Sequence, residues 1–573
     1  MSKPIQIVDL FAGPGGLGEG FNSLRDAKGG RIFKTLVSVE KEASAHRTLT
    51  LRAFYRLLQD SHFGMESYFE YLRGGEHPSK VEELKELWEE ATQEALRLEL
   101  GGEAGHKALD ERLDNYLDQN SDWVLIGGPP CQAYSVVGRV RNRGNKSYVA
   151  EEDKRHFLYR EYLDVIARYR PSVFVMENVK GILTSKVGKE RIFRQILKDL
   201  EDPTEATRVE GEGSGKNQKY TIFSLSDPDV YHPQQEQQLI PGIARELSDE
   251  ELSGFVVKSE EYGIPQTRHR VILIGVRKDI VDGQDVASIA KSLILDKKKE
   301  VSSGEVLFGM PKLRSGLSRG DSDEDWYSAI RRVAEKIAGE LIETESESIS
   351  PEERNYISCR LREIVAEPKL GFDRGRKYDS TYVKVNPVTE LEKWYAGEQN
   401  GSVRHWVNHD ARGHMEEDLA RYLYCSVFAE VTQRSPIGVR DIYLESLAPM
   451  HVNWKSGKFA DRFKVVVSHF PSKTITSHIS KDGHYYIHPD PYQCRSLTVR
   501  EAARLQTFPD DYYFEGNRTE QYVQVGNAVP PLLAAKIAEK VRKLLDGGNI
   551  TPFLGESEKS GVKAVSGSLS VTC

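Results

Sequence analysis

The chain has 573 residues, a formal net charge of −8, and a composition that is 39% hydrophobic and 29% charged. This length predicts two or three domains, and the composition excludes a collagen-like or wholly disordered protein. No apolar run reaches the ~18 residues of a membrane span, and no signal peptide precedes the first strand. The five scattered cysteines have neither metal-ligand spacing nor the pattern of a disulfide framework. We therefore expect a soluble cytoplasmic protein that contacts no membrane and binds no metal.

The N-terminal residues predict a strand, a glycine turn, a helix and a second strand. Residues 5–11 form a short apolar strand that is followed by Ala-Gly-Pro-Gly-Gly. A helix is expected from Leu17, and a second strand at 35–39 ends at Glu40. Glycines allow close approach of a ligand to the backbone, and an acid at the end of the second strand can accept ribose hydroxyls. Phe11 could stack on an adenine. This unit favours a nucleoside cofactor with a small charged tail, the alternative being a tight turn without a ligand.

The rest of the chain predicts an α/β protein with a doubly wound, mainly parallel sheet. Further strands are expected at 123–126, 173–176 and 271–276, with helices at 157–169, 189–199 and 531–545. Residues 43–118 are charged and helical, which indicates an insertion on the surface. The expected domains are 1–285, a less regular second domain at 286–490, a segment at 491–547 that returns to the first domain, and a disordered tail at 548–573.

Cys131 lies in the sequence Gly-Gly-Pro-Pro-Cys-Gln-Ala-Tyr-Ser, directly after the apolar residues 123–126. Most lone cysteines are small buried hydrophobic residues. Here two prolines stiffen the turn, and polar Gln132 and Ser135 follow. Since open α/β sheets hold reactive groups at the carboxyl ends of their strands, this pattern favours an accessible, functional cysteine.

Charged residues lie at the ends of two other predicted strands. Glu177 ends an apolar strand, so its carboxylate is expected at the rim of the sheet, either as a functional acid or as a salt-bridge partner. Arg268 and Arg270 lead into the strand at 271–276 and project to the same side of an extended segment. One of them could reach a pocket while the other holds the adjoining loop, although lone arginines are more often surface residues.

Together these motifs resemble the DNA (cytosine-5) methyltransferases, specifically the prokaryotic modification type. The matching segments follow the order of the family's motifs: they are 9–16, 128–135, 177–179, 266–270, 495–510 and 524–531. The resemblance implies a Rossmann-like methyltransferase sheet with a target-recognition domain at 286–490. Tyr134 stands where the family usually has phenylalanine. Because a long insertion separates Glu40 from Cys131, the acid that would bind the cofactor's adenine amine is not identified.

The resemblance also implies roles for individual residues. Cys131 would be the nucleophile, Glu177 the acid, and Arg270 a contact to the target base that is supported by Arg268. S-adenosylmethionine, which leaves as S-adenosylhomocysteine, would lie against Phe11, Ala12, Gly13, Gly15, Gly16, Glu40, Pro129 and Asn527. DNA would contact Gln132, Ser135, Arg139, Arg141 and Arg143, the last three in a Gly- and Arg-rich loop that closes over the duplex.

The implied reaction is methylation of carbon 5 of a cytosine within a specific sequence of duplex DNA. Attack of the Cys131 thiolate on carbon 6 activates carbon 5, and the base must leave the duplex for this attack. The implied enzyme is monomeric, lies in the prokaryotic cytosol in association with the nucleoid, and can pair with a cognate restriction endonuclease. The sequence does not show which residues of 286–490 contact bases or phosphates. The candidates are Arg314, Arg319, Arg374, Arg376 and Lys377.

Three alternatives stay open at this point. An RNA (tRNA) cytosine-5 methyltransferase would use the same scaffold, but the large region at 286–490 favours recognition of a duplex. A catalytically inactive nucleic-acid-binding protein would not need Cys131, Glu177 and Arg270 together. A Rossmann oxidoreductase would be expected to carry GxGxxG, which the turn after residue 11 does not match.

Overall fold

The structure is a computed structural model that describes residues 3–130, 158–187, 190–207, 219–233, 247–366, 371–382, 389–397, 403–450, 454 and 462–546. Its strands, β1 to β17 in chain order, are Ile5–Leu10, Phe33–Glu40, Ala95–Arg97, Trp123–Gly127, Val173–Val179, Lys186–Val187, Glu190–Arg191, Tyr220–Phe223, Tyr231–His232, Val256–Lys258, Gln266–Thr267, His269–Arg277, Gly316–Leu317, Gly375–Tyr382, Val403–Asp410, Gly413–His414 and Ser472–Lys473.

The α-helices in the described residues, α1 to α20 in chain order, are Gly16–Asn22, Ala43–Asp60, Glu66–Leu72, Lys85–Glu94, Glu103–Tyr116, Leu158–Tyr169, Ile192–Glu201, Pro203–Thr207, Asp249–Ser253, Lys278–Val281, Val286–Leu293, Ser303–Leu307, Asp323–Glu343, Pro351–Ala366, Glu390–Ala396, Glu416–Thr432, Gly438–Asp441, Val499–Leu505, Arg518–Asn527 and Pro531–Leu545. Short 3₁₀ turns lie at Pro78–Lys80, Glu82–Leu84, Lys180–Thr184, Ser259–Tyr262, Glu445–Leu447 and Ser477–Ser480.

A nine-stranded sheet organises the N-terminal half of the protein. Its order is β3-β2-β1-β4-β5-β12-β8-β9, with β10 paired to β12. The strands from β3 to β5 are parallel, whereas β12 runs antiparallel to β5, β8 and β10. Helices cover both faces of the sheet, as is usual for parallel strands, and β4 and most of β5 are buried. The predicted doubly wound, mainly parallel α/β sheet is confirmed.

Two hydrophobic cores lie on the two faces of this sheet. One core joins Val8, Leu125 and Phe174 to the helices α5, α6 and α7. The other joins Ile7, Ile126 and Ile274 to α1, α11 and the C-terminal helix α20. The last helix of the C-terminal segment thus packs on the sheet, and α20 contacts α1, the helix that follows the glycine turn.

The segment 43–118 differs from the expected helical insertion on the surface. Most of it is helical, but Ala95–Arg97 forms β3, which pairs in parallel with β2 at the edge of the central sheet. Leu109 and Leu113 of α5 are buried in the core of the sheet. A strand of three residues is too short to show an alternating pattern, which explains why periodicity missed it.

The region 286–490 is more regular than its sequence suggested. The helices α13, α14 and α16 form a core of their own that is separate from the sheet. On α13 the buried residues Trp326, Ile330, Val333, Ile337 and Leu341 recur every three or four positions, which is the pattern of an amphipathic helix. That signal was present in the sequence and was missed among the many charged residues.

A fourth core joins this region to the C-terminal segment. It brings Leu307, Trp406 and Ile475 together with Leu505, Phe508 and Val525. Among the described residues, no helix is long and apolar enough to cross a membrane.

Candidate active site

The glycine turn between β1 and α1 is tied to the end of β2. The Gly13 amide donates to Oε2 of Glu40 at 2.9 Å, and the Glu42 amide donates to Oε1 of the same carboxylate at 2.8 Å. A carboxylate has about four acceptor sites, so Glu40 keeps capacity for two further donors. Phe11, at the start of the turn, has a positive φ of 56° and is partly buried.

The inner side of this turn is packed against the C-terminal segment. A Cβ atom placed on Gly16 would lie 2.1 Å from the carbonyl oxygen of Val529, and one placed on Gly20 would lie 2.4 Å from the Cβ of Ala534. Only glycine therefore allows α1 to approach the backbone of 529–531 and the start of α20 so closely. Asn527, the last residue of α19, is exposed two positions before this contact.

The outer side of the turn is open. Gly13 has a φ of 57°, and a Cβ atom placed on it would meet nothing within 4 Å among the described residues. The turn thus combines open space, a helix N-terminus and a carboxylate with spare acceptor capacity. These features fit the cofactor that the sequence predicts, with Glu40 suited to hydroxyl groups and the helix N-terminus to a carboxylate.

The second part of the site joins β4, β5 and β12. Gly127 of β4 pairs with Met176 of β5, and a Cβ atom placed on Gly128 would lie 3.1 Å from Oε2 of Glu177. Across the antiparallel pair, Nε of Arg270 lies 2.9 Å from Oε1 of Glu177, with side chains that are 16% and 14% exposed. Both charges can therefore still reach a ligand that enters from the solvent side.

Arg268 has a different environment from Arg270. It is 2% exposed, and its guanidinium donates to the carbonyl oxygens of Ile475 and Gly526 at 3.0 and 3.3 Å. Burial, followed by the nearby charge of Arg270, lowers the pKa of Arg268 to about 9. Arg268, just before the strand that carries Arg270, thus ties this part of the chain to Ile475 and Gly526, and its support of Arg270 stays a prediction.

The segment 472–481 lies beside the residues that precede Arg268, a neighbour that the sequence did not predict. Its first residues, Ser472 and Lys473, pair in parallel with Gln266 and Thr267, and the Thr474 hydroxyl donates to the Thr267 carbonyl at 2.6 Å. Lys473, His478 and Lys481 are exposed along it. The short polar run has no periodicity, so only the tertiary pairing with the strand before Arg268 places it near the site.

Glu99 is a further acid at the same sheet edge as Glu40. It follows β3, where the Leu98 amide donates to the carbonyl of Glu40 at 3.2 Å. Its Oε1 lies 3.8 Å from Nζ of Lys41, and its side chain is 79% exposed. The sequence did not single out Glu99 because the strand before it was not predicted.

Several predicted residues lie outside the described part of the chain. Pro129 is buried, and its carbonyl accepts a hydrogen bond from Asn178 at 3.3 Å, but the description ends at Pro130. The predicted nucleophile and DNA contacts that follow it lie outside the described residues: Cys131, Gln132, Ser135, Arg139, Arg141 and Arg143.

Two of the arginines considered for base reading are engaged in ion pairs. Arg314 is 5% exposed and pairs with Asp321 and Asp323 at 2.8 and 2.7 Å. Arg374 pairs with Asp321 at 2.9 Å. Arg314 is therefore a structural residue of its domain, whereas Arg319, Arg376 and Lys377 are exposed.

The structure is that of an α/β protein with an open glycine turn and a Glu177–Arg270 ion pair at the edge where its parallel strands end. The family described as C-5 cytosine-specific DNA methylase matches residues 85–203 and 251–543. The chain is 32% identical to the type II methyltransferase M.Bpa9945I of Bacillus paralicheniformis, over 94% of this chain and 99% of that protein.

Two more distant relatives agree with this match. The type II methyltransferase M.AgeI of Thalassovita gelatinovora is 24% identical over 94% of this chain and 99% of its own length. The DNA (cytosine-5-)-methyltransferase M.ApeKI of Aeropyrum pernix is 26% identical over 74% of this chain and 81% of its own. The chain belongs to the C-5 cytosine-specific DNA methylase family.

Proposed function

We propose that this DNA cytosine-5 methyltransferase methylates carbon 5 of a cytosine that has been flipped out of duplex DNA, with Cys131 as the nucleophile and Glu177 and Arg270 as its partners. The observation that carries the proposal is the Glu177–Arg270 pair, which lies against Gly128 just before the cysteine turn. Glu177 lies beside Gly128, three residues before Cys131 in the sequence, and this supports the proposal that the two residues serve one pocket.

The bonding changes follow from the chemistry of the cytosine ring. The Cys131 thiolate adds to carbon 6, and the electron pair released by this addition makes carbon 5 nucleophilic. Glu177 holds the N3 and amino edge of the base, and Arg270 stabilises charge at the ring oxygen. S-adenosylmethionine supplies the methyl group as an activated sulfonium. Loss of the carbon 5 proton to a base then expels the cysteine and restores the ring.

The residues of the glycine turn fit the cofactor. Glu40 has spare acceptors for the ribose hydroxyls, the Phe11 ring can stack on the adenine, and the amides at the start of α1 favour the carboxylate. Ala12, Gly13, Gly15, Gly16, Pro129 and Asn527 complete this proposed lining. We add Glu99 as the acid for the adenine amine, because it follows the strand beside Glu40.

The experiment for Glu99 is a cofactor titration. Glu99→Gln removes the charge but keeps the size of the side chain, so it should raise the Kd for S-adenosylmethionine several-fold. The neighbouring Glu103→Gln, at the first position of α5, serves as the matched control. Equal affinity of Glu99→Gln and wild type would contradict this assignment.

The DNA would lie over the pocket, between the segment after Cys131 and the segment 472–481. Gln132, Ser135, Arg139, Arg141 and Arg143 stay predicted contacts. The exposed Lys473 and Lys481 suit phosphates, because Lys473 pairs with Thr267 just before the strand that holds Arg270 and Lys481 follows in the same segment. Lys473→Ala should weaken binding to all sequences alike and reduce the salt dependence of log K by about one.

The relatives that are named type II methyltransferases suggest a role in restriction–modification. We infer that the enzyme acts as a monomer in the prokaryotic cytosol, close to the nucleoid, and protects the sites of a cognate endonuclease. The test is methylome sequencing of a host that expresses the gene. One methylated motif that resists a matching endonuclease is the expected result, and methylation without any motif would contradict the role.

A single transfer assay tests the chemistry. Radiolabelled S-adenosylmethionine is incubated with duplex DNA or with tRNA, using wild type and Cys131→Ser, with Cys359→Ser as the matched control. We expect label in DNA, its loss in Cys131→Ser alone, and a covalent adduct with DNA that contains 5-fluorocytosine. Label in tRNA only, or undiminished labelling of DNA by Cys131→Ser, would contradict the proposal.

A further inference from the structure

The inner side of the glycine turn contacts Tyr512, a residue of the C-terminal segment. Tyr512 is 1% exposed, and its hydroxyl donates a hydrogen bond to the carbonyl oxygen of Pro14. The same hydroxyl oxygen would lie 2.9 Å from a Cβ atom placed on Gly15, whose φ is 94°. Tyr512 thus touches the backbone at the point where the turn reverses direction.

Tyr512 is itself held by a cluster of buried charges, here called the Arg52 cluster (Glu19, Arg52, Tyr55 and Asp511). Arg52 binds Glu19 with Nε and Nη2 at 3.0 and 2.5 Å and binds Asp511 with Nη1 at 3.1 Å. The Tyr55 hydroxyl donates to the other oxygen of Asp511. The Arg52 guanidinium carbon lies 4.7 Å from the centre of the Tyr512 ring, so the cluster fixes both the backbone before Tyr512 and its ring.

The Arg52 cluster holds two acids and one arginine, and Arg56, whose Nη1 lies 3.7 Å from Oε2 of Glu19, adds a second positive charge. Burial raises the pKa of Asp511, whereas for Glu19 the same burial is outweighed by Arg52, which keeps the Glu19 pKa below its ordinary value. Arg52 therefore lies between an acid of α1 and an acid of the C-terminal segment. Moving either segment would leave a buried charge without its partner, which makes the arrangement rigid.

Hydrogen bonds within the glycine turn connect the Pro14 carbonyl, on the inner side, to the Gly13 amide and Glu40, on the open side. The Gly15 amide donates to the Ala12 carbonyl at 2.9 Å, and the Gly13 amide donates to Glu40 at 2.9 Å. Rotation of the peptide unit after Pro14 would disturb both bonds. The hydroxyl of Tyr512 opposes that rotation by holding the Pro14 carbonyl.

We propose that Tyr512 is a positioning residue for cofactor binding, which fixes the Pro14 carbonyl and thereby orients the Gly13 amide and Glu40 toward S-adenosylmethionine. The inference rests on the proposed use of that cofactor. It assigns a role to the segment 511–512, which would otherwise be only a part of the core.

The test compares Tyr512→Phe with Tyr220→Phe, each of which removes one buried hydroxyl from a proline carbonyl. Tyr220 is 2% exposed and donates to Pro171 at 2.9 Å, in a different part of the sheet domain. By isothermal titration, Tyr512→Phe should bind S-adenosylmethionine about tenfold more weakly, because the released Pro14 carbonyl no longer fixes the Gly13 amide and Glu40 in the orientation that the cofactor needs. Its KM for the cofactor should rise while kcat at saturation and the Kd for DNA stay unchanged. Tyr220→Phe should change the cofactor Kd less than about twofold.

A double-mutant cycle with Gly15→Ala gives a second, independent measurement. The new Cβ would lie 2.8 Å from Cδ2 of Leu49 and 2.9 Å from the Tyr512 hydroxyl, and Tyr512→Phe relieves only the second clash, so Gly15→Ala should weaken cofactor binding less in the Tyr512→Phe background than in wild type. Unchanged cofactor affinity in Tyr512→Phe, an equal loss in Tyr220→Phe, or purely multiplicative effects in the cycle would each overturn the inference. Failure of the wild type itself to bind the cofactor would instead contradict the proposed function.

Discussion

Nε of Arg270 lies 2.9 Å from Oε1 of Glu177, across two antiparallel strands of the central sheet. An acid that is held by one arginine is fixed in orientation, ready to accept hydrogen bonds from a base that replaces solvent. The pair also lies next to Gly128, whose missing side chain leaves room for the carboxylate. The relationship therefore fixes one wall of the pocket before any substrate enters.

Glu177→Gln should lower kcat by about 10² to 10³ while leaving DNA affinity within a few-fold, because the lost charge acts mainly as the ring becomes protonated. Single-turnover methyl transfer to a saturating duplex measures this effect. The control is Asp279→Asn, which removes the charge that pairs with Arg277, the last residue of β12. This variant should keep full activity. If Glu177→Gln had the wild-type kcat, the Glu177 carboxylate would have no role in methyl transfer.

Gly16→Ala should destabilise the protein strongly, although alanine is the better helix former. Its Cβ would lie 2.1 Å from the Val529 carbonyl oxygen, so α1 and the C-terminal segment must move apart. Gly339→Ala, inside α13 and four residues before its end, has no described atom within 4 Å of the new Cβ and should stabilise by about 0.5 to 1 kcal/mol. Thermal unfolding of the two variants is expected to give shifts of opposite sign, and shifts of the same sign would contradict the close contact.

The sequence predicted the elements that carry the site, but it could not predict their long-range contacts. Apolar runs placed Glu177 and Arg270 at strand ends, and the motif order indicated a common pocket. That β12 lies antiparallel beside β5 depends on tertiary packing, which periodicity does not report. The contacts of Gly16 with Val529 and of Pro14 with Tyr512 likewise join residues from opposite ends of the chain.

Two features outside the site, the edge strand β3 and the buried position of Arg314, were not predicted for a similar reason. The edge strand Ala95–Arg97 is too short for a pattern, and it is fixed by its pairing with β2. Arg314 was a candidate DNA contact because the sequence does not show that it is buried against Asp321 and Asp323. The α13 helix, by contrast, carried a readable amphipathic pattern, so a closer count of apolar spacing would have found it.

The buried pair of Arg495 and Glu501 should be a main source of stability at the start of α18. Both side chains are 1% exposed, and the carboxylate accepts two hydrogen bonds of 2.6 Å from the guanidinium. Glu501→Gln leaves an arginine charge buried without its partner, which should cost about 3 to 5 kcal/mol in urea unfolding. Arg332→Ala, which breaks an exposed pair with Glu416, should cause no measurable change. Equal effects would show that burial does not set the strength of these pairs.

Stability should fall as the pH drops below about 6.5, partly because His414 is buried in its neutral form. Burial, together with the charges of Arg412, His484, Arg495 and Arg518, lowers the pKa of His414 to about 3. Because the folded pKa lies below the unfolded value, the unfolded chain binds the proton first. The stabilisation is then complete above the unfolded pKa and is lost as the pH falls toward the folded pKa.

His414→Gln removes this one proton and should flatten the pH dependence of the unfolding free energy between pH 6.5 and 4, by up to about 1.4 kcal/mol per pH unit. The variant should be less stable than wild type at pH 7, where the imidazole packs against the Tyr422 ring. His478→Gln, at an exposed site, is the control and should retain the wild-type slope. Since the slope counts protons rather than contacts, an unchanged slope in His414→Gln would mean that His414 is protonated in the folded protein.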